Sequence, residues 1–228
     1  MLCCLALGAG RARAEEPPAI STFSIVAYDA TNRQWGIAVQ SKLVSVGAYV
    51  PWAEAGAGAI ASQARANVGW GPEGLKLLAA GGSAEDTLRN LLEADPLREH
   101  RQIGIVDAKG RAAAHTGKKC FPWAGHQVGK NFCVQGNILE SEKVIEAMAE
   151  AWTTSAGDFG QRLIAALAAG QDAGGDRRGR QAAALLIVKD KAGYDGGNDR
   201  YRDIRVDDHP TPIKELLRVY QLHRKIFR

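Results

Sequence analysis

No stretch of this 228-residue sequence is apolar for long enough to make a membrane-crossing helix. Such a helix needs roughly 20 residues, and the leading apolar run, Leu2–Ala9, stops well short of that. Strong charge of either sign is also missing. Lys and Arg total 29 against 25 Asp and Glu, too small an excess to argue for nucleic acid or an anionic membrane as a partner. Cysteines number only four. His115, Cys120, His126 and Cys133 also lack the ligand pair about two to four residues apart that zinc sites use. No metal and no cofactor is expected.

What is present points to a packed domain. Hydrophobic residues make up 46% of the chain, which excludes wholesale disorder. The length suits one domain with ample material for a core. The 26 glycines exceed the usual share of about 7%, so tight turns and close backbone packing should be frequent. Residues 1–14, MLCCLALGAGRARA, read as the remainder of a secretory signal, with a short apolar region and Ala12-Arg13-Ala14 as a small-x-small cleavage pattern. A basic n-region is lacking. Export to the periplasm or beyond is the expectation. Cleavage there leaves Cys120 and Cys133, and in an oxidising compartment two cysteines allow a single pairing.

Glu15–Ser21, proline-bearing and polar, is a loose lead-in. Thr22–Asp29 then reads as a strand, with Phe23, Ile25 and Ala27 on one face and Thr22, Ser24, Val26 and Tyr28 on the other. Further strands are expected at 34–40, 43–50 and 56–64. Two helices follow, one from Pro72 and one from Ser83, where Asp86 three residues on makes a capping-box-like start. Strands return at 100–107, 111–116 and 126–135, and helices at 140–152 and 158–169. The run 181–189 is apolar enough to be buried on both faces, 200–206 alternates, and 211–227 is an amphipathic helix. Strand blocks alternating with helix pairs imply an α+β class and one domain over 22–228, rather than a doubly wound parallel sheet.

Three places carry candidate chemistry. Thr22 heads the first strand, as a nucleophile or simply as a β-favouring residue. Gly136 and Asn137, in Gln135-Gly136-Asn137, offer backbone amides as an oxyanion hole, or merely a strand-to-helix turn. In Gly174–Gln181, Asp176 either orients an attacking group or pairs with a neighbouring arginine and pins its loop. Arg177, Arg178 and Gln181 are the candidate substrate-binding side chains, since guanidinium forks suit carboxylate or phosphate. Cys120 and Cys133 flank a hairpin-like region and either form a disulfide or stay as two thiols.

Six blocks in order, TFSIVA at 22–27, SQARANVGWGPEGLKLL at 62–78, HTGKKCFPWAGH at 115–126, QGNIL at 135–139, GGDRRGRQ at 174–181 and NDRY with VDDHP at 198–210, resemble a bacterial family catalogued as domain of unknown function 1028. That family is assigned to the N-terminal nucleophile (Ntn) hydrolases. The resemblance implies a four-layer αββα sandwich of two antiparallel sheets. It also implies attack by an N-terminal Thr22 on an amide carbonyl, with its own α-amine as base. The expected substrate is a small-molecule or peptide-like amide, cell-wall material included. Sandwiches of this class also associate as homo-oligomers. The competing expectation is a non-catalytic binding or structural protein that keeps the sandwich without an active nucleophile.

Overall fold

The computed structural model describes residues 22–227. The expected leader, 1–14, and lead-in, 15–21, lie outside the described residues. The chain opens with strands β1 (Thr22–Asp29), β2 (Gln34–Ser41), β3 (Pro51–Glu54) and β4 (Gly58–Ala64). Helices α1 (Trp70–Ala79) and α2 (Ala84–Ala94) follow, then β5 (Arg101–Asp107), β6 (Ala112–Thr116), β7 (Gly125–Gly129) and β8 (Phe132–Gly136). Helices α3 (Lys143–Thr154) and α4 (Phe159–Asp172), strands β9 (Ala182–Val188) and β10 (Arg200–Val206), and helix α5 (Pro212–Ile226) complete it. This is the α+β class that the sequence implied.

The strands form two antiparallel sheets. One has the order β10-β9-β2-β1-β8-β7 and the other β3-β4-β5-β6. Three apolar clusters separate four layers. Ile60, Ile103 and Ile105 of the smaller sheet pack under Leu75, Leu78 and Leu91 of α1 and α2. Val26, Ile37, Val39, Ala61, Val106 and Cys133 fill the space between the sheets. Phe23, Ile25 and Val134 of the larger sheet meet Met148, Leu163, Leu167 and Leu216 of α3, α4 and α5. The two faces read for β1 are the two faces observed: its odd-numbered residues 23–27 meet helices and Val26 meets the other sheet. β9 is buried on both faces, as its unbroken apolar run implied.

Helix starts follow their capping residues. The Ser83 hydroxyl accepts the Asp86 amide at 3.0 Å and opens α2. Asp158 and Gln161 form a reciprocal box at the start of α4, satisfying amides that a helix terminus otherwise leaves unpaired.

Two expected elements differ. The strand anticipated at 43–50 is a turn and a single 3₁₀ helix, Val46–Ala48, entered through Ser45 at φ 55°. Its backbone bonds go to the far strand end instead of a ladder, the Ser45 amide donating to Asp207 O at 3.1 Å. The strand anticipated at 126–135 is a hairpin of β7 and β8, turned at Asn131 with φ 66°. Asparagine tolerates that left-handed conformation better than most residues.

Candidate functional site

β1 lies inside the larger sheet, between β2 and β8, and its first residue sits at one end of the sandwich. Residues 22 and 24 point between the sheets. At this end the intersheet layer changes from aliphatic to polar. Ser24 of β1, Gln63 of β4, Gln102 of β5 and Gln135 of β8 are all fully buried, and Asn137 beyond β8 nearly so.

These side chains bind one another in a continuous seam. Ser24 Oγ donates to Gln63 Oε1 at 2.7 Å, and Gln63 Nε2 donates to Gln102 Oε1 at 2.8 Å. Asn137 Nδ2 donates to the same Gln102 oxygen at 2.9 Å. Gln135 Nε2 reaches Ala61 O at 2.9 Å and Ser24 Oγ at 3.3 Å. Gln102 Nε2 lies within 3.1 Å of Gly136 O, Thr116 Oγ1 and Gly125 O. A neutral amide both donates and accepts, so such a seam links its members in a low-dielectric interior without a buried charge, although Gln135 Oε1 meets no partner among the described residues.

Thr22 is the seam's end point. Its carbonyl accepts from Gln63 Nε2 at 3.0 Å and from the Asn137 amide at 3.1 Å. Its hydroxyl is buried and meets no hydrogen-bond partner among the described residues. The seam therefore fixes the main chain of Thr22 and leaves the hydroxyl uncommitted.

Asn137 carries two readings, an oxyanion-hole amide or a strand-to-helix turn. Its backbone amide holds Thr22 and its side-chain amide holds Gln102. It is a clamp on the strand end.

Asp176 closes the neighbouring wall. It forms an isolated bridge with Leu139, and its carboxylate accepts the Lys42 amide at 3.2 Å, just past the end of β2. It also takes the Arg178 amide at 2.9 Å and the Arg178 guanidinium, with Nη2 to Oδ2 at 2.9 Å. Of the two roles read for Asp176, this is the loop-pinning one, and it commits Arg178 to structure. Gln181 tethers the same loop through its backbone, its amide donating to Ser41 O at 3.1 Å. Arg177 is exposed, and its Nη2 donates to Pro122 O. The loop 121–123 pairs with 138–139, so Thr22, Asn137, Asp176 and Arg177 all gather at one end of the sandwich.

Of the two readings of the cysteines, a disulfide or two thiols, the second is found: Cys120 and Cys133 are both free thiols. Each points to a different carbonyl of β5, Cys120 to Arg101 O and Cys133 to Ile105 O. Those carbonyls are separated by four residues of strand, about 13 Å, so no bridge forms without moving a strand. Burial pushes the Cys133 thiol up to about 12 and the Cys120 thiol up to about 11. Iodoacetamide at pH 8 should therefore leave Cys133 unmodified in the native protein. In urea without reductant both cysteines should be alkylated. A disulfide-linked peptide pair in the digest refutes this.

The sequence reading missed Gln63, Gln102 and Gln135. Gln63 and Gln135 are each the one long polar residue in a strand otherwise built from small and apolar ones, and Gln102 adjoins the apolar run of β5; that is the signal that marks them.

The model of a family described as "Family of unknown function (DUF1028)" matches residues 22–216. The chain belongs to the DUF1028 family. The match opens on Thr22 and takes in every seam residue. The crystal structure of protein SPO2555 from Silicibacter pomeroyi, assigned to the same DUF1028 family, is similar at 33% identity. It covers 89% of each chain with a TM-score of 0.81. No curated protein matches the chain. Among the described residues of this DUF1028 member, no helix is long and apolar enough to cross a membrane.

Proposed function

We propose that this DUF1028 protein is an exported hydrolase of the N-terminal nucleophile type, acting on the C–N bond of an amide in peptide-like or cell-wall material. The observation that carries the reading is the Thr22 hydroxyl: buried at the head of an interior strand, uncommitted, with its own carbonyl held by two donors. Elsewhere in the seam the hydroxyls are used for structure. The family match that begins at Thr22 supports the same position.

The chemistry requires the Ser21–Thr22 bond to be cut, because a hydroxyl is a weak nucleophile without an adjacent base. Cleavage frees an α-amine, whose ordinary pKa is about 7.7–8.0. Thr22 Oγ1 attacks the amide carbon while its proton passes to that amine. The C–N bond then breaks, the amine product leaves with the proton, and water hydrolyses the ester. Gln63 and Asn137 position Thr22 throughout by holding its carbonyl.

A second reading, a non-catalytic binding or structural protein, is favoured by one fact. Thr22 has 0% exposed surface and follows Ser21 in the chain, so its nitrogen is a peptide amide until a cut is made. Mass spectrometry of the protein from its native compartment separates the two. The enzyme reading expects a mature N-terminus at Thr22. A stable start at Glu15, without hydrolysis of a panel of peptide amides, sinks it.

A further inference from the structure

A cleft of about 450 Å³ opens beside the seam, lined in part by Thr116, Lys118, Pro122, Gly125 and His126. It is joined to Thr22 through two buried side chains, Gln63 and Gln102. Gln102 receives Gln63, which holds the Thr22 carbonyl, and donates toward Thr116 Oγ1 and Gly125 O on the cleft wall. Thr116 Oγ1 in turn meets His126 Nδ1 at 2.9 Å, so the mouth has a fixed wall. Burial and the nearby His115 hold His126 below the usual imidazole range.

The lining carries Lys118 and no carboxylate. Arg177 lies outside the lining and is joined to it through Pro122 O, to which its guanidinium donates. Its use differs from that of its neighbour Arg178, which is neutralised by Asp176. Among the described residues, no carboxylate forms an ion pair with Arg177 or Lys118. Glu99, the acid nearest by bonding, accepts the Lys118 backbone amide from outside the lining. Lys118 on the lining and Arg177, bonded to the wall residue Pro122, are thus the cations at this opening, with Glu99 as the neighbouring carboxylate that Lys118 feels.

Position sets what the opening can take. Phe23 of β1 pairs with Gly136 of β8, which pairs with Gly125 of β7. Two strand spacings separate the first from the last, about 10 Å. An extended chain covers that span in about three residues.

We propose that this cleft is the subsite for an anionic group of the substrate, a carboxylate carried about three residues from the scissile amide. The placement of that amide rests on the reading of Thr22 as nucleophile. Lys118 and Arg177 bind the carboxylate, and Thr116 and His126 shape the wall against which it lies. A carboxylate shared between two such donors gains more than a neutral group of the same size.

The test uses the full-length protein and a matched pair of peptides, succinyl-Ala-Ala-amide and acetyl-Ala-Ala-amide, with binding followed by calorimetry and products by mass spectrometry. The succinyl peptide should bind roughly tenfold or more tightly, the effect of one charge-assisted hydrogen bond. Arg177→Ala should reduce the preference, and so should Lys118→Ala, an exposed change that leaves the Pro122 contact intact. Equal affinities for the two peptides overturn the subsite, as does a preference that survives both substitutions. Turnover without preference removes the subsite and leaves the nucleophile. Preference without turnover, in protein whose N-terminus mass spectrometry places at Thr22, supports the subsite and removes the nucleophile.

Discussion

Replacing Thr22 with valine is expected to lower amide hydrolysis by about 10³-fold or more while leaving the melting temperature unchanged or raised. The loss follows because no ester forms without the hydroxyl, and removal of a nucleophile forfeits nearly all of the chemical step. The stability expectation follows from the same atom. A buried threonine hydroxyl normally binds a partner, and deleting it strands that partner at a cost of about 1–3 kcal/mol. Here Thr22 Oγ1 has no partner among the described residues, so valine keeps the branched shape and removes an unpaired polar atom. Thr22→Ser is the matching control and should retain activity. A Thr22→Val protein that hydrolyses peptide amides at the parent rate sends the search to another nucleophile. One that unfolds several degrees lower shows the hydroxyl to be structural. The pH profile carries the sign of the base: the rate should rise as pH increases through about 7.7–8.0, where an α-amine loses its proton.

The same stretch shows what a sequence can and cannot reveal. The alternation of Thr22–Asp29 identified both the strand and its two faces, because each face meets a different layer. The order of the strands was not legible. β1 pairs with β2 across a short turn but also with β8, more than a hundred residues on, through ladder bonds that leave no local trace. Residues 43–50 failed for a related reason. Val44, Val46 and Val50 have strand spacing, but the segment is held by the Asp207 carbonyl, a tertiary contact that overrides propensity.

The candidate site was legible in part. Thr22, Asn137, Asp176 and Arg177 were singled out from separate blocks, and the fold gathers them at one end. Their roles were less legible, because a carboxylate that pins a loop and one that orients a nucleophile are the same residue in sequence. Only the bonds from Lys42 and Arg178 decide for Asp176. The glutamines were overlooked because these strands are covered on both faces. Where both faces are buried, alternation cannot say which one looks between the sheets.

Gln102→Leu is expected to destabilise the protein by roughly 3 kcal/mol or more, since it strands several buried groups at about 1–3 kcal/mol each. Gln102 is the hub of the seam, accepting from Gln63 and Asn137 and donating toward Gly136 O and the cleft wall. Leucine has nearly the same volume and fills the space, so the penalty is polar and not a cavity. It falls first on the Asn137 side-chain amide and the Gly136 carbonyl, which lose a partner where water has little access. Gln63 keeps the Thr22 carbonyl but loses the bond that orients its amide. A shift in the urea midpoint with an unchanged slope measures the cost. Gln127→Leu on the exposed edge strand β7 is the comparison, expected within about 0.5 kcal/mol of the parent. A Gln102→Leu protein as stable as that control makes the Gln102 hub dispensable, and then Gln63 and the Asn137 amide hold the carbonyl of Thr22 without its support. If the large cost is found, the amide hub of the seam joins the two sheets at this end, and the strand that begins with Thr22 is fixed from both sides before any substrate arrives.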